Sequence, residues 1–245
     1  MFEFLYLGLA AALVVILSAA AATGLMRWRR PGEDRTRQIA LGIALAAGSL
    51  EVALLAGVLL DSIKETTGEL FFQRAHFAIF YVAFATLLYG SDRVASNVLD
   101  NDRNPLAPRI AKRFRLALWS GYALTVLVAL WALAGAGSPS ASPGQGAPHV
   151  PQQPIYSLPV FYSLVISAIA MLALAARLRK GSEWPLLVCF AAATLFGLLG
   201  SLREAAVIPS SGDPVGDLLL AFGPFTCTGA CLYASVRLLG ARVSA

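Results

Sequence analysis

Apolar residues fill seven stretches of this chain, and polar residues gather in the segments between them. The stretches cover residues 4–26, 39–63, 70–90, 116–134, 158–176, 184–201 and 215–239. Each is close to the ~20 residues that an α-helix needs to cross a ~30 Å hydrocarbon core. Backbone groups cannot go unpaired in lipid, so each run is predicted to be helical. The pattern therefore predicts an all-α integral membrane protein, a seven-transmembrane-helix bundle that forms a single domain over residues 1–245.

The composition agrees with this prediction. Hydrophobic residues make up 58% of the chain and charged residues only 13%, against roughly a quarter charged in soluble domains. So few charges cannot cover a globular surface, and lipid is the solvent that suits the excess apolar area. The net charge of +5 comes from short basic clusters between apolar runs. We therefore expect the lipid bilayer as a partner and no nucleic acid.

The basic residues also predict the orientation. With the N-terminus outside and the C-terminus cytoplasmic, sixteen of the nineteen Lys and Arg residues fall on the cytoplasmic side. The three on the other side are Lys64, Arg74 and Arg203. This distribution follows the positive-inside rule and predicts a multi-pass protein of the cell membrane. Basic residues follow the first apolar run instead of preceding it, which favours an uncleaved anchor over a signal peptide.

Two connecting segments have a composition of their own. Residues 135–154 are rich in Gly, Ser and Pro and are predicted to form a flexible external loop. Residues 109–115 are basic with interleaved apolar positions, which predicts a segment at the level of the lipid headgroups that leads into the fourth helix. A docking surface for an acidic partner is the alternative interpretation of the second segment.

Glu51 is the main candidate for a functional residue, because it lies at the centre of the second apolar run. An ionisable residue at mid-membrane is costly and marks a place where helices meet around something polar. Ala44 and Gly48 share its helix face, and small residues allow a neighbouring helix to approach. We expect the carboxylate to point into the bundle. The residues predicted to surround it in the outer half of the bundle are Arg74, His76, Tyr81, Arg203 and Glu204.

These residues have a structural interpretation beside the functional one. They could form a satisfied ion-pair network that fixes the helix register, or Glu51 could be protonated, since burial raises the pKa of a carboxyl group. The functional alternative is a ligand or proton site. Pro224, within the seventh run, predicts a helix kink, because proline removes a backbone hydrogen bond.

Several cofactors lack the residues they need. No lysine follows Lys180, so a Schiff base to retinal on the last helix is excluded. The chain has two histidines, His76 and His149, which argues against bis-histidine haem and against a three-histidine zinc site. The three cysteines lie in apolar runs and are interpreted as small buried hydrophobes. We expect no metal site, and the identity of any cofactor stays open.

Three functions remain as hypotheses. The first is a non-catalytic integral membrane subunit of a larger membrane protein assembly, in contact with other membrane subunits and able to hold lipid, quinone or pigment non-covalently. The second is a small-solute transporter or ligand-binding membrane sensor with an outward-facing polar cavity around Glu51. The third is an intramembrane enzyme that modifies a lipid or isoprenoid, with Glu51 and His76 as an acid–base pair. The sequence favours the first, because it contains no catalytic motif.

Overall fold

A computed structural model describes residues 2–67, 70–99, 107–135, 158–179, 183–204 and 214–241. All regular structure in these residues is α-helical. The helices are α1 (Phe2–Arg29), α2 (Asp34–Thr67), α3 (Leu70–Leu99), α4 (Ala107–Gly135), α5 (Leu158–Arg177), α6 (Trp184–Glu204) and α7 (Pro214–Ala241). The predicted external loop, residues 135–154, lies outside the described residues from position 136 onward.

Five of these helices are long and apolar enough to cross a membrane: α1, α2, α5, α6 and α7. This search covered only the described residues, and α3 and α4 are not among the five. The predictions of an all-helical chain and of helices suited to a membrane are therefore confirmed by the type, length and apolar character of the described helices.

Several helices extend beyond the apolar runs that predicted them. α4 begins at Ala107 instead of near 116, and α3 continues to Leu99 instead of ending near 90. Hydropathy marks only the part of a helix that matches the hydrocarbon core, whereas the backbone hydrogen bonds continue into polar flanks. The 34 residues of α2 correspond to about 51 Å at 1.5 Å per residue, well beyond a ~30 Å core. The basic segment 109–115 is thus part of α4 and not a separate connection.

The helices pack in a closed order. α1 packs against α2 and α7, α2 against α3, α3 against α5, α5 against α6, and α6 against α7. α4 lies outside this ring, and within the described residues it contacts only α3 and α5. The core between the helices is apolar, with fully buried side chains that include Leu13, Ile43, Leu87, Met171 and Phe190.

Glycines permit the closest helix contacts. A Cβ atom built on Gly42 of α2 would lie 2.6 Å from the carbonyl oxygen of Gly90 on α3. One built on Gly90 would lie 2.5 Å from the carbonyl oxygen of Gly42. Gly24 similarly brings α1 against α2, where an added Cβ would lie 2.8 Å from Cβ of Ala44. Small residues at these crossings let the backbones approach, as expected for helix association in lipid.

Arginines join the helix ends at one face of the bundle. Arg35 of α2 donates from Nε to the carbonyl of Asn97 on α3 (2.8 Å) and from Nη2 to Glu183 beside α6 (2.9 Å). Arg37 donates to the carbonyl of Trp28 on α1 (2.9 Å). The start of α2, the end of α3, the start of α6 and the end of α1 therefore lie together.

Candidate functional site: a carboxylate between α1 and α2

Glu51 lies midway along α2, and its carboxylate accepts a hydrogen bond from the hydroxyl of Ser18 on α1. Ser18 is the one hydrogen-bond partner of Glu51 among the described residues. Glu51 follows Arg37 by 14 positions, which corresponds to about 21 Å of helix. The pair therefore lies deep along the bundle, far from the arginines at its basic end.

The residues around this pair are partly exposed. Glu51 and Ser18 are both half-buried. Leu55, one turn further along α2, is 38% exposed, and Val52 is 50% exposed. Val15, one turn before Ser18 on α1, is 66% exposed. The hydrogen bond thus lies at the outer edge of the α1–α2 contact, where both helices begin to face outward.

Gly48 leaves an open space beside the carboxylate. It precedes Glu51 by three residues and therefore shares its helix face. A Cβ atom built on Gly48 would meet no other atom within 4 Å. Ala44, one turn earlier, is buried against Gly24 of α1. Of the two small residues predicted to admit a neighbouring helix, Ala44 is covered by α1 and Gly48 borders unfilled space.

The predicted surroundings of Glu51 are described only in part. Tyr81 is buried in α3. The side chains of the other four predicted residues, Arg74, His76, Arg203 and Glu204, lie outside what the structure describes. The contact of Glu51 that can be described goes to α1, whereas the predicted partners belong to α3 and α6.

Sequence reasoning did not single out Ser18. Ser18 lies 11 residues before the end of α1, and Glu51 lies 17 residues after the start of α2. The two positions differ by six residues, or about 9 Å of helix, so their spacing from the connection does not pair them. The only general signal is that a carboxylate away from water needs a donor, and a serine hydroxyl on an adjacent helix can supply one.

Hydroxyl groups also contact neighbouring helices elsewhere in the interior. The hydroxyl oxygens of Ser91 on α3 and Ser167 on α5 lie 2.9 Å apart, and both residues are fully buried. On α7, Thr228 lies 3.0 Å from the carbonyl of Pro224 and 3.1 Å from the carbonyl of Ala193 on α6. These contacts hold helices together and leave no reactive group exposed.

Pro224, the predicted kink, lies within α7, and the helix is continuous on both sides of it. The hydroxyl of Thr226 donates to the carbonyl of Phe222 (2.9 Å), one turn earlier. Hydroxyl groups thus supply additional donors to backbone carbonyls around the proline.

Glu51 and Ser18 can take part in hydrogen bonding. A carboxylate with a serine hydroxyl as donor can accept further hydrogen bonds, since it has two oxygens with about four acceptor positions. Within the described residues, no group of three or more His, Cys, Asp and Glu side chains could hold a metal ion.

The fold defines the class of this protein, an all-helical chain with helices suited to a membrane. Comparisons with protein-family models, curated proteins and solved structures find no match to it.

Proposed function

We propose that this protein is a non-catalytic integral membrane subunit of a larger membrane protein assembly. In the proposed topology its seven helices cross the cell membrane with the N-terminus outside and the C-terminus cytoplasmic. The excess of basic residues on one side supports this orientation. The arginine contacts that gather the ends of α1, α2, α3 and α6 at one face are consistent with it.

The observation that carries the proposal is the half-buried Glu51–Ser18 pair beside Gly48. An acidic residue at mid-membrane costs roughly 2.5–3.5 kcal/mol on insertion scales. Among the described residues a single hydroxyl donor contacts that carboxylate, and Gly48 beside it borders unfilled space. A transmembrane helix of another subunit, placed over Gly48, would cover the carboxylate and could donate the missing hydrogen bonds.

The adjacent surface of α1 suits such a neighbour. Apart from Val15, several of its outward residues are small, with Ala11, Ala12 and Ala22 exposed and Ala19 half-buried. In membranes, helix association depends on close packing and interhelical hydrogen bonds, because lipid gives no hydrophobic drive between helices. A small-residue surface beside a polar group supplies both requirements. Lipid, quinone or pigment could be held at the same assembly contact.

The test is native gel electrophoresis of the protein extracted from its own membranes in mild detergent, for the wild type and two variants. Gly48→Leu places a side chain in space that is open in the isolated chain but occupied in the assembly. Ala123→Leu is the control, since Ala123 is also a small helical residue but is exposed and lies on α4. We expect a larger assembly for the wild type and Ala123→Leu, and a monomer whose thermal stability is not lowered for Gly48→Leu.

Two results would contradict the proposal. The first is a wild-type protein that migrates as a lone monomer with no bound subunit. The second is a Gly48→Leu variant that stays in the assembly as the control does, because then the α1–α2 surface is not the contact.

A further inference from the structure

We propose that α4 carries a binding site for an anionic phospholipid. In this site the exposed basic residues of the first turns hold the phosphate headgroup, and the apolar outer face of the same helix holds an acyl chain. The site rests on the membrane topology proposed above, but it does not depend on the proposed subunit contact at α1 and α2.

The inner and outer faces of α4 differ in their contacts. Phe114, Gly121 and Thr125 are buried toward the bundle. An added Cβ on Gly121 would lie 3.1 Å from the ring of Tyr162 on α5, which shows how closely this face is packed. Because α4 contacts only α3 and α5 within the described residues, its opposite face is left uncovered along its length.

The basic end of this outer face has no paired counter-charge among the described residues. Four exposed basic side chains lie within seven residues: Arg109, Lys112, Arg113 and Arg115. α4 contains no acidic residue, and none of the four forms a salt bridge within the described part of the chain. Two arginines elsewhere at this side of the bundle are held by protein groups. Arg35 pairs with Glu183, and Arg93 contacts Gln38 and lies over the ring of Tyr89.

An apolar surface continues directly from the charges. Leu116 is 72% exposed and Trp119 is 70% exposed. The exposed apolar residues further along the same face are Val126, Leu127 and Leu130. Leu116 and Leu130 are 14 positions apart, which gives about 21 Å of helix. That length exceeds the ~15 Å depth of one leaflet of the hydrocarbon core, so the surface is long enough for an acyl chain.

Trp119 stands where the headgroup and the chain would meet. It follows Arg113 by six positions, or about 9 Å along the helix. Its ring packs edge-to-face with Tyr122, with 6.2 Å between ring centroids. Tryptophan and tyrosine are enriched at the membrane interface because their rings are apolar and their polar atoms prefer water.

Charge complementarity selects the occupant. A zwitterionic lipid would bring its own cation toward the four basic side chains, whereas an anionic lipid brings only negative charge. An acidic protein would occupy the charged end alone and leave the apolar surface unused. Each basic residue near an anionic surface contributes roughly fivefold to the binding constant. Two of them therefore contribute up to roughly thirtyfold.

The experiment measures fluorescence quenching of Trp119 by brominated lipids in reconstituted vesicles. The chain has four tryptophans, so the Trp119 signal is the difference between the wild type and Trp119→Phe. The vesicles contain phosphatidylcholine with a minor fraction of brominated phosphatidylglycerol, or of brominated phosphatidylcholine as the reference. We expect the anionic lipid to quench Trp119 with a relative association constant of about ten or more.

Two variants test the origin of this preference, each measured with its own Trp119→Phe subtraction. Lys112→Gln with Arg113→Gln should lower the relative constant by about tenfold or more, because two of the four basic side chains are removed. Arg29→Gln with Arg30→Gln removes the same charge from exposed positions near the end of α1, and it should leave the constant unchanged.

Three outcomes would overturn the proposal. Equal quenching by both lipids would show that α4 does not select for charge. An equal loss in both double variants would show general attraction to a basic surface. Quenching by neither lipid would show that Trp119 is outside the bilayer and would contradict the topology itself, while leaving the subunit contact to its own test.

Discussion

The contact between Gly42 and Gly90 gives the sharpest prediction about stability. Replacing Gly42 with Ala puts a methyl group 2.6 Å from the carbonyl oxygen of Gly90 and 2.9 Å from Cγ2 of Val94. The valine methyl can rotate away, but the carbonyl belongs to the backbone of α3. α2 and α3 must therefore move apart where their backbones are closest.

The magnitude follows from two opposing effects. Overpacking of a tight interior contact costs typically 1–3 kcal/mol, and a backbone obstacle places Gly42→Ala toward the upper end. Alanine in a helix interior gains about 1 kcal/mol over glycine. We expect a net loss of about 1–2 kcal/mol in the free energy of unfolding. Gly48→Ala is the matched control on the same helix, where the added methyl meets no atom within 4 Å, so we expect a gain of up to about 1 kcal/mol.

The assay is thermal unfolding in detergent, followed with a thiol-reactive fluorescent dye. Cys189 and Cys231 are free and half-buried, so their reaction reports unfolding, while the exposed Cys227 contributes a constant background. For a chain of this length, 1 kcal/mol corresponds to roughly 2–4 °C. Gly42→Ala should therefore melt roughly 2–8 °C below the wild type, and Gly48→Ala at or above it. Equal melting temperatures for the two variants would refute the packing argument.

Two further predictions concern polar contacts, each measured by the same unfolding assay in a double-mutant cycle. Arg35→Gln and Glu183→Gln should show a coupling of about 1 kcal/mol, because the 2.9 Å pair is mostly buried, with side chains 20% and 15% exposed. The exposed pair of Arg37 and Asp34, at 3.9 Å, should couple by less than about 0.5 kcal/mol, and similar values for both pairs would contradict this reasoning. Ser91→Ala and Ser167→Ala should couple by about 0.6 kcal/mol, the usual size of an interhelical hydrogen bond in membrane proteins. Ser163→Ala, which removes a buried hydroxyl bonded only within α5, should cost less than Ser167→Ala, and the reverse order would show that the contact between helices adds nothing.

The helical part of this fold could be predicted well from hydropathy. Each apolar run lies within a helix, as expected for segments whose backbone groups must pair internally. The ends could not be predicted equally well. The helical extension of α4 back to Ala107 depends on backbone hydrogen bonds in a polar segment, and a hydropathy pattern contains no information about them.

The neighbours of each helix were harder to predict than the helices. Glu51 was predicted to lie in a polar network with residues of α3 and α6, and its described partner is Ser18 on α1. The side chains of Arg74, His76, Arg203 and Glu204 lie outside the described residues, so that network stays a prediction. The face that a helix turns toward each neighbour depends on crossing angles, and these are set by small residues such as Gly42 and Gly24. Glycine appears in apolar runs for many reasons, so sequence alone cannot show which glycines mark a crossing.

The location of the hydroxyl contacts bears on what specifies the packing of this bundle. Most serine and threonine hydroxyls that the structure describes donate to a carbonyl of their own helix, as Ser49, Thr125 and Ser235 do. Such bonds satisfy the hydroxyl without fixing any neighbour. The register between helices depends instead on the few polar contacts that cross between them and on the glycine crossings. Among the contacts described, the pair of Ser18 and Glu51 places a carboxylate at a partly exposed edge midway along the helices, away from the basic helix ends where Arg35 contacts Glu183. A contact used only for register would be better buried, as Ser91 and Ser167 are, and this difference is the physical reason to look for a partner at Glu51.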